Sequence, residues 1–193
     1  MQERNIPDSS FPRVSRAQSR KTRGFFESRY WLRDTILSVL LAFTIIFFLY
    51  QPVQVEGTSM LPSLQNHERV MVSRLAYDIG PIHRGDIIVF HYPRDPAEVF
   101  IKRVIGLPGD WVGIKDGQVY VNGKRLKEQY VPKAYLGDET CAAVHVPPDH
   151  YYVLGDHRNL SNDSRDWGTV ARRYIYGKAV FAYWPLDDMG SLH

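Results

Sequence analysis

The stretch Val99-Phe100-Ile101-Lys102-Arg103-Val104-Ile105 places a lysine in the middle of an apolar, β-branched run. Such a run predicts a β-strand, in which successive side chains point to opposite faces, so Phe100, Lys102 and Val104 share one face. A lysine flanked by apolar side chains loses hydration. This loss disfavours the ammonium form, so we expect the pKa of Lys102 to fall. A neutral amine near pH 7 is able to act as a general base, which makes Lys102 the first candidate functional residue.

Short apolar runs recur through the rest of the chain and predict further strands. They cover residues 53–55, 69–72, 87–90, 111–114, 119–121, 151–154 and 178–184. Asp116-Gly117 and Asn122-Gly123 flank one of these runs and are typical of hairpin turns. Segment 124–149 has little periodicity, which predicts a long surface loop with one short strand at most. The expected fold class is all-β, with bent antiparallel sheets or a partial barrel, behind one N-terminal transmembrane helix.

The N-terminal quarter of the chain predicts a membrane anchor. Residues 31–50 include the uncharged apolar stretch TILSVLLAFTIIFFLY at positions 35–50. A helix of about 20 residues spans about 30 Å, which matches the hydrocarbon core of a bilayer. Tyr30, Trp31 and Tyr50 stand where interfacial aromatic residues belong. A buried core helix is the weaker interpretation, because the sequence has no second segment of comparable hydrophobicity to pack against it.

The flanks of this segment predict its orientation. Residues 1–30 carry seven Lys or Arg residues against three acidic ones, and their composition is typical of a disordered arm. The positive-inside rule places this arm in the cytoplasm, so residues 51–193 form an exported domain. Residues 51–56 lack a small-x-small cleavage pattern, so the anchor is expected to stay uncleaved. The expected location is the cell membrane or a thylakoid-type membrane. No nucleic-acid partner is expected, since topology explains the basic arm.

A candidate nucleophile follows the anchor, in the stretch GTSMLPSL at residues 57–64. Gly57 permits a tight backbone approach, and Pro62 restricts the exit of the turn. Ser59 is thereby presented with its own amide available to a developing oxyanion. Together with Lys102, it suggests a Ser/Lys dyad tethered to a membrane.

A dense polar loop, GDHRNLSNDSRDWG at residues 155–168, follows a predicted strand. Such a loop is either a solvated turn or a hydrogen-bonded platform that positions a buried group. A hydroxyl in it is able to orient the lysine amine. Asp163 and Arg165 form one candidate ion pair in the loop, and Asp156 with Arg103 forms a second.

Three motifs in this order, GTSMLPSL, FIKRVIGLPGD at 100–110 and GDHRNLSNDSRDWG, resemble those of the type I (leader) signal peptidases. A further stretch, RGDIIVF at 84–90, is similar to another box of that family. The resemblance covers roughly residues 50 to 184. It implies a membrane-bound serine endopeptidase that removes signal peptides from preproteins after a small-x-small site through an acyl-enzyme. It implies signal peptides and the lipid bilayer as partners, and neither a cofactor nor a metal.

The resemblance also implies residue roles. Ser59 matches the nucleophile, Lys102 the general base and Ser161 the serine that hydrogen-bonds the lysine amine. Supporting positions match Arg103, Asp156, Asp163 and Arg165. Residues that match the lining of pockets for small side chains are Val53, Val55, Met60, Leu64, Phe100 and Ile101. Strand alternation places Ile101 on the face opposite Lys102, so its contribution is expected through the main chain or a local twist.

The sequence departs from the family pattern at four points. Gly57 stands where some members have a hydroxyl residue that donates to the oxyanion, so the Ser59 amide and other backbone donors are expected to form the hole. Asn159-Leu160 replaces an Asp-Asn pair, which removes a polar side chain at position 160. The chain also lacks the extra β-domain of larger members and has a single predicted membrane span.

Two other classes of function stay open at this stage. A Ser-His-Asp hydrolase would use His91, His145, His150 or His157, but no G-x-S-x-G elbow is present. A membrane-tethered peptide-binding β-domain would keep a groove without needing Lys102. A self-cleaving repressor-type protease is a related Ser/Lys alternative, against which the anchor argues. Cys141 is the sole cysteine, so the exported domain has no internal disulfide.

Overall fold

The computed structural model describes residues 23–185 and 189–192, so positions 1–22 of the predicted basic arm lie outside the described residues. Helix α1 (Arg23–Leu49) contains the window Tyr30–Phe47, which has a mean hydropathy of 1.5 and no buried residue. By length and composition it is able to cross a membrane. The helix begins at Arg23 and so extends on its N-terminal side beyond the predicted span of residues 31–50. It ends at Leu49. Tyr50 begins the first strand and pairs with Ser73 of the second.

After α1, short strands alternate with turns and single helical turns. In chain order these are β1 (Tyr50–Gln54), β2 (Arg69–Ser73), α2 (Ala76–Ile79), β3 (Ile87–Tyr92), β4 (Asp95–Gly106), β5 (Trp111–Lys115), β6 (Gln118–Val121), β7 (Lys124–Arg125), β8 (Cys141–His145), β9 (His150–Leu154), α3 (Ser164–Trp167), β10 (Val170–Ala171), β11 (Ile175–Trp184) and β12 (Gly190–Ser191). Single turns of 3₁₀-helix cover Lys133–Tyr135, Arg158–Leu160 and Arg172–Tyr174.

The strands form two antiparallel sheets. The larger has the order β1-β2-β11-β3-β4-β9-β10, with β12 paired to β11, and the smaller has the order β7-β6-β5-β8. Both predicted hairpin turns are confirmed. Asp116 and Asn122 each have a φ of 50°, and each precedes a glycine that also has a positive φ. Two successive positive-φ residues are the geometry that matches the twist of a tight hairpin. The predicted all-β fold is therefore confirmed.

Strand β4 has apolar cores on its two faces. Phe100 and Val104 pack in one core cluster, with Ile88 and Phe90 of β3, while Ile101 packs against another cluster that contains Val89. The predicted alternation is therefore present. Along residues 99–103, β4 pairs with β3, but β9 joins its other edge only from Arg103 onward. Within the described residues, the edge of β4 before Arg103 carries no neighbouring strand.

Segment 124–149 contains more structure than its sequence pattern indicates. Strands β7 and β8 both lie in it, together with the 3₁₀ turn Lys133–Tyr135, so the prediction of one strand at most was wrong. Strand β8, CAAVH, consists mostly of small exposed residues at a sheet edge. Such a strand buries little apolar surface, and it therefore lacks the alternation by which a strand is recognised.

Candidate active site

Ser59 and Lys102 meet in the structure. The Nζ atom of Lys102 lies 2.7 Å from the Oγ atom of Ser59 and is hydrogen-bonded to it. Ser59 belongs to the loop after β1, whereas Lys102 lies near the middle of β4, 43 positions further along the chain. The lysine side chain reaches the serine from a rigid strand, and the residue is 5% exposed. The predicted pair is thus within the distance that direct proton transfer requires.

The surroundings of Lys102 favour its neutral form. Burial lowers the pKa of Lys102 from 10.5 to about 8, and the charge of Arg165 acts in the same direction. The carboxylates of Asp163 and Asp156 act in the opposite direction, but the loss of hydration is the largest cause. The ring of Phe100 adds to the apolar surroundings, with its centre 5.4 Å from Nζ.

The loop that carries Ser59 is held by hydrogen bonds between its own residues. Gly57 has a φ of 92°, a conformation that favours glycine, and its N–H donates to Oδ1 of Asn66 at 2.8 Å. The N–H of Leu61 donates to the carbonyl oxygen of Thr58 at 3.2 Å and closes a turn around Ser59. Among the described residues, the Ser59 N–H has no hydrogen-bond acceptor. It is therefore free to donate to a substrate oxygen.

Ser161 lies close to the dyad but does not make the predicted contact. Its Oγ atom is buried and has no hydrogen-bond partner among the described residues. Gly155 lies directly beside both serines, since a Cβ atom there would overlap Oγ of Ser161 and the carbonyl oxygen of Ser59. The hydroxyl is thus near the nucleophile loop, and its role toward Lys102 stays a prediction.

Asp163 and Arg165 form the predicted ion pair. Nε of Arg165 donates to Oδ1 of Asp163 at 2.8 Å, and Asp163 is fully buried. Oδ2 of Asp163 accepts from the N–H of Gly155 at 3.0 Å, while Arg165 also donates to the carbonyl oxygen of Ser161 at 3.2 Å. Asp163 therefore ties the start of the polar loop to its end, and Arg165 holds the segment that carries Ser161.

The second predicted pair is also present. Arg103 donates to Asp156 at 2.8 Å, both side chains are almost fully buried, and a further donation reaches Oγ of Ser63 at 3.2 Å. The structure adds a third buried pair that the sequence reasoning missed, Arg158 with Glu128 at 2.6 Å. Glu128 lies in the segment predicted as a surface loop, where an isolated acidic residue gives no signal of burial.

A groove of about 450 Å³ opens beside the dyad. One wall is residues 53–59, another is residues 99–102, and Leu160 with Asn162 lies at a third side. Of the six predicted pocket residues, Val53, Val55, Phe100 and Ile101 line the groove.

The other two predicted pocket residues are not among those that line the groove. Met60 and Leu64 are 1% and 0% exposed, and they pack with Val55 in a core cluster. The turn around Ser59 directs them inward, so they support the groove from beneath rather than line it. Ile101 lines the groove although it faces away from the side chain of Lys102, because the free edge of β4 is itself one wall.

The candidate histidines make other contacts. Nδ1 of His91 is hydrogen-bonded to the Pro96 carbonyl, and Nδ1 of His150 to that of Pro148. The ring of His145 contacts that of Trp111, with the planes tilted at 46°, and Nδ1 of His157 lies 3.2 Å from the Thr58 carbonyl oxygen. Among the described residues, none of these rings is hydrogen-bonded to Oγ of Ser59. The geometry therefore favours a lysine base over a Ser-His-Asp arrangement.

A serine hydroxyl beside a buried lysine, at the wall of a strand-edged groove, is the arrangement expected of a serine hydrolase that uses a lysine base. The family profile "Signal peptidase, peptidase S26" matches residues 28–184. The chain therefore belongs to the signal peptidase family, and the resemblance found in its motifs is confirmed.

Two signal peptidases are similar to this chain over most of their sequence. The chain is 43% identical over 166 residues to a signal peptidase I of Leptolyngbya laminosa, covering 81% of this chain and 79% of the relative. It is 43% identical over 165 residues to a signal peptidase I of Bacillus caldolyticus, covering 79% and 89% respectively. A crystal structure of a signal peptidase I from Enterococcus faecalis is 36% identical, with a TM-score of 0.47, and covers 52% of this chain and 97% of that protein.

Proposed function

We propose that Ser59 and Lys102 are the catalytic dyad by which this chain removes signal peptides from preproteins. Membership of the signal peptidase family makes the chain a serine endopeptidase. The observation that carries the residue assignment is the 2.7 Å contact between Oγ of Ser59 and Nζ of a lysine that is 5% exposed. A solvated lysine would be protonated at neutral pH, whereas the pKa of Lys102 is lowered to about 8.

The reaction then proceeds through an acyl-enzyme. The neutral amine of Lys102 accepts the Ser59 hydroxyl proton as Oγ bonds to the scissile carbonyl carbon. The Ser59 N–H donates to the developing oxyanion. The lysine gives its proton to the leaving amine when the C–N bond breaks. In deacylation, Lys102 takes a proton from water as the water oxygen attacks the ester carbon. It returns that proton to Oγ when the ester C–O bond breaks, which releases the acid product and regenerates Ser59 and the neutral amine.

The substrate is proposed to bind as an extended strand. The edge of β4 before Arg103 carries no neighbouring strand among the described residues, and residues 53–59 face it across the groove. Main-chain hydrogen bonds to this edge would give affinity without sequence selection. Val53, Val55 and Ile101 narrow the groove, which favours small side chains and a small-x-small cleavage site.

The membrane location is part of the proposal. Helix α1 supplies one candidate span, and the basic residues before it favour a cytoplasmic N-terminus. The catalytic domain would then lie on the outer side of the membrane, where signal peptides emerge.

The proposal is tested by cleavage of a model preprotein in liposomes by the wild type, Ser59→Ala and Lys102→Ala. We expect cleavage after a small-x-small site by the wild type alone, with all three proteins folded by circular dichroism. Normal cleavage by Lys102→Ala would show that the lysine is structural. Single His→Ala variants at positions 91, 145, 150 and 157 are the controls for a Ser-His-Asp mechanism. Complete loss of activity in one of them would favour a histidine base. A wild type that binds but never cuts the preprotein would instead favour a peptide-binding domain.

A further inference from the structure

His157 holds the two carbonyl groups that flank the nucleophile. Its backbone N–H donates to the Ser59 carbonyl oxygen at 3.1 Å. Its ring atom Nδ1 lies 3.2 Å from the Thr58 carbonyl oxygen, and since a carbonyl accepts, the ring donates. The residue is 8% exposed.

The Thr58 carbonyl belongs to the same peptide unit as the Ser59 N–H. A peptide unit is planar and trans, so its C=O and N–H point in opposite directions and rotate together. A donor that fixes the Thr58 oxygen therefore also fixes the direction of the Ser59 N–H. Hydrogen bonding to a peptide oxygen also polarises the unit and strengthens its N–H as a donor.

The Ser59 N–H matters more in this chain because position 57 is glycine. Gly57 has no side chain to donate to an oxyanion, and its φ of 92° would strain a residue with a Cβ atom. Leu61 also donates to the Thr58 oxygen at 3.2 Å, but that bond lies within the turn itself. The ring of His157 ties the turn to the polar loop of residues 155–168.

The histidine ring is itself held in place. The ring of Tyr135 packs edge-on against it, with the ring centres 4.3 Å apart and the planes at 78°. Tyr135 ends the 3₁₀ turn Lys133–Tyr135, in the segment that the sequence pattern predicted to be a loop. This contact restricts the ring, so that Nδ1 stays directed toward Thr58.

From this geometry we infer that His157 is a positioning residue for the oxyanion hole, acting through the Thr58–Ser59 peptide unit. The inference rests on the proposed role of Ser59. It assigns to the ring a function in the transition state and none in binding of the uncleaved substrate. Loss of one oxyanion donor costs roughly 100- to 1000-fold in kcat, so misdirecting one should cost about 10- to 100-fold.

The test compares two substitutions in the full-length protein in detergent micelles. His157→Phe keeps a ring against Tyr135 but has no donor, whereas His157→Asn keeps a donor at the position of Nδ1. We expect His157→Phe to lower kcat about 10- to 100-fold with KM within about threefold, and His157→Asn to retain most of the activity. If His157→Phe does not fold, His157→Leu replaces it.

A pair of inhibitors separates positioning from a general structural role. Oγ of Ser59 adds to the carbonyl carbon of a peptide aldehyde that ends in a small-x-alanine analogue, and its proton passes to Lys102, so an oxyanion occupies the hole. The corresponding alcohol has no carbonyl group and forms no such adduct. His157→Phe should weaken the aldehyde by the factor lost in kcat and leave the alcohol unchanged. Equal weakening of both inhibitors, an unchanged kcat, or an equally impaired His157→Asn would overturn the inference. Cleavage by Ser59→Ala in the same assay would instead overturn the proposed dyad.

Discussion

The rate of cleavage should depend on pH through the amine of Lys102. Only the neutral amine accepts the proton of Ser59, so kcat/KM should follow the neutral fraction of Lys102 in the free enzyme. With the pKa lowered to about 8, kcat/KM should rise with pH through the neutral range and level off above that value. Below the pKa, the rise should be about tenfold per pH unit.

The size of the effect follows from the shift itself. At pH 7 a group with a pKa of about 8 is roughly one-tenth neutral, whereas an ordinary lysine is neutral in roughly three molecules per 10,000. Burial of Lys102 therefore raises the concentration of the neutral amine, which the proposed dyad requires, about 300-fold at neutral pH. The lysine loses part of its basicity in exchange, but it remains able to accept the proton over a 2.7 Å hydrogen bond.

The assay is the initial rate of preprotein cleavage in detergent micelles, measured from about pH 6 to about pH 9. Asp163→Asn is the second arm, because the carboxylate of Asp163 raises the pKa of Lys102. The amide keeps an oxygen for the Gly155 N–H but loses the charge that pairs with Arg165, so stability should fall and folding is checked by circular dichroism. In the folded variant, the rise of kcat/KM should move to lower pH. The reasoning would be refuted if kcat/KM levelled off only near the pKa of a solvated lysine, or if its rise moved to higher pH in Asp163→Asn.

Three further predictions concern stability and specificity. Lys102→Met should abolish cleavage yet stabilise the protein by up to about 3 kcal/mol at pH 7, since the buried charge is removed. Denaturant titrations should show this gain shrinking from about pH 8 to about pH 10.5. In that range Lys102 is neutral in the folded wild type but still protonated in the unfolded state, so the wild type itself becomes more stable as the pH rises. Leu64→Ala should cost about 2–5 kcal/mol in the same titrations without changing substrate preference, whereas Ile101→Ala should admit larger side chains in a peptide-library assay. Gly155→Ala should abolish cleavage because its Cβ atom would overlap the Ser59 carbonyl, and activity near the wild-type level would contradict this packing.

Features with a local cause were predictable from the sequence. The burial of Lys102 follows from the two-residue period of a strand, and the turn at Asn122-Gly123 follows from the backbone conformation those residues adopt. The burial of Met60 and Leu64 in a core cluster was not predicted, because the direction of side chains in an irregular turn has no period. Their burial depends on how the turn around Ser59 packs on the sheets, which is a tertiary property.

The buried pair of Arg158 with Glu128 could not be predicted for the same reason. The arrangement of the predicted pair of Asp163 with Arg165 affects the pKa of Lys102. An uncompensated carboxylate beside Lys102 would raise its pKa and remove the neutral base. Asp163 does act in this direction, but Arg165, bound to it at 2.8 Å, acts in the opposite one. The ion pair therefore fixes the loop through buried hydrogen bonds. Because its two charges shift the pKa of Lys102 in opposite directions, their effects on the amine partly cancel. Removing Arg165 alone would leave the Asp163 charge unbalanced, with a cost of about 3–5 kcal/mol for a broken buried pair. It would also raise the pKa of Lys102, so loop stability and catalytic basicity depend on the same contact.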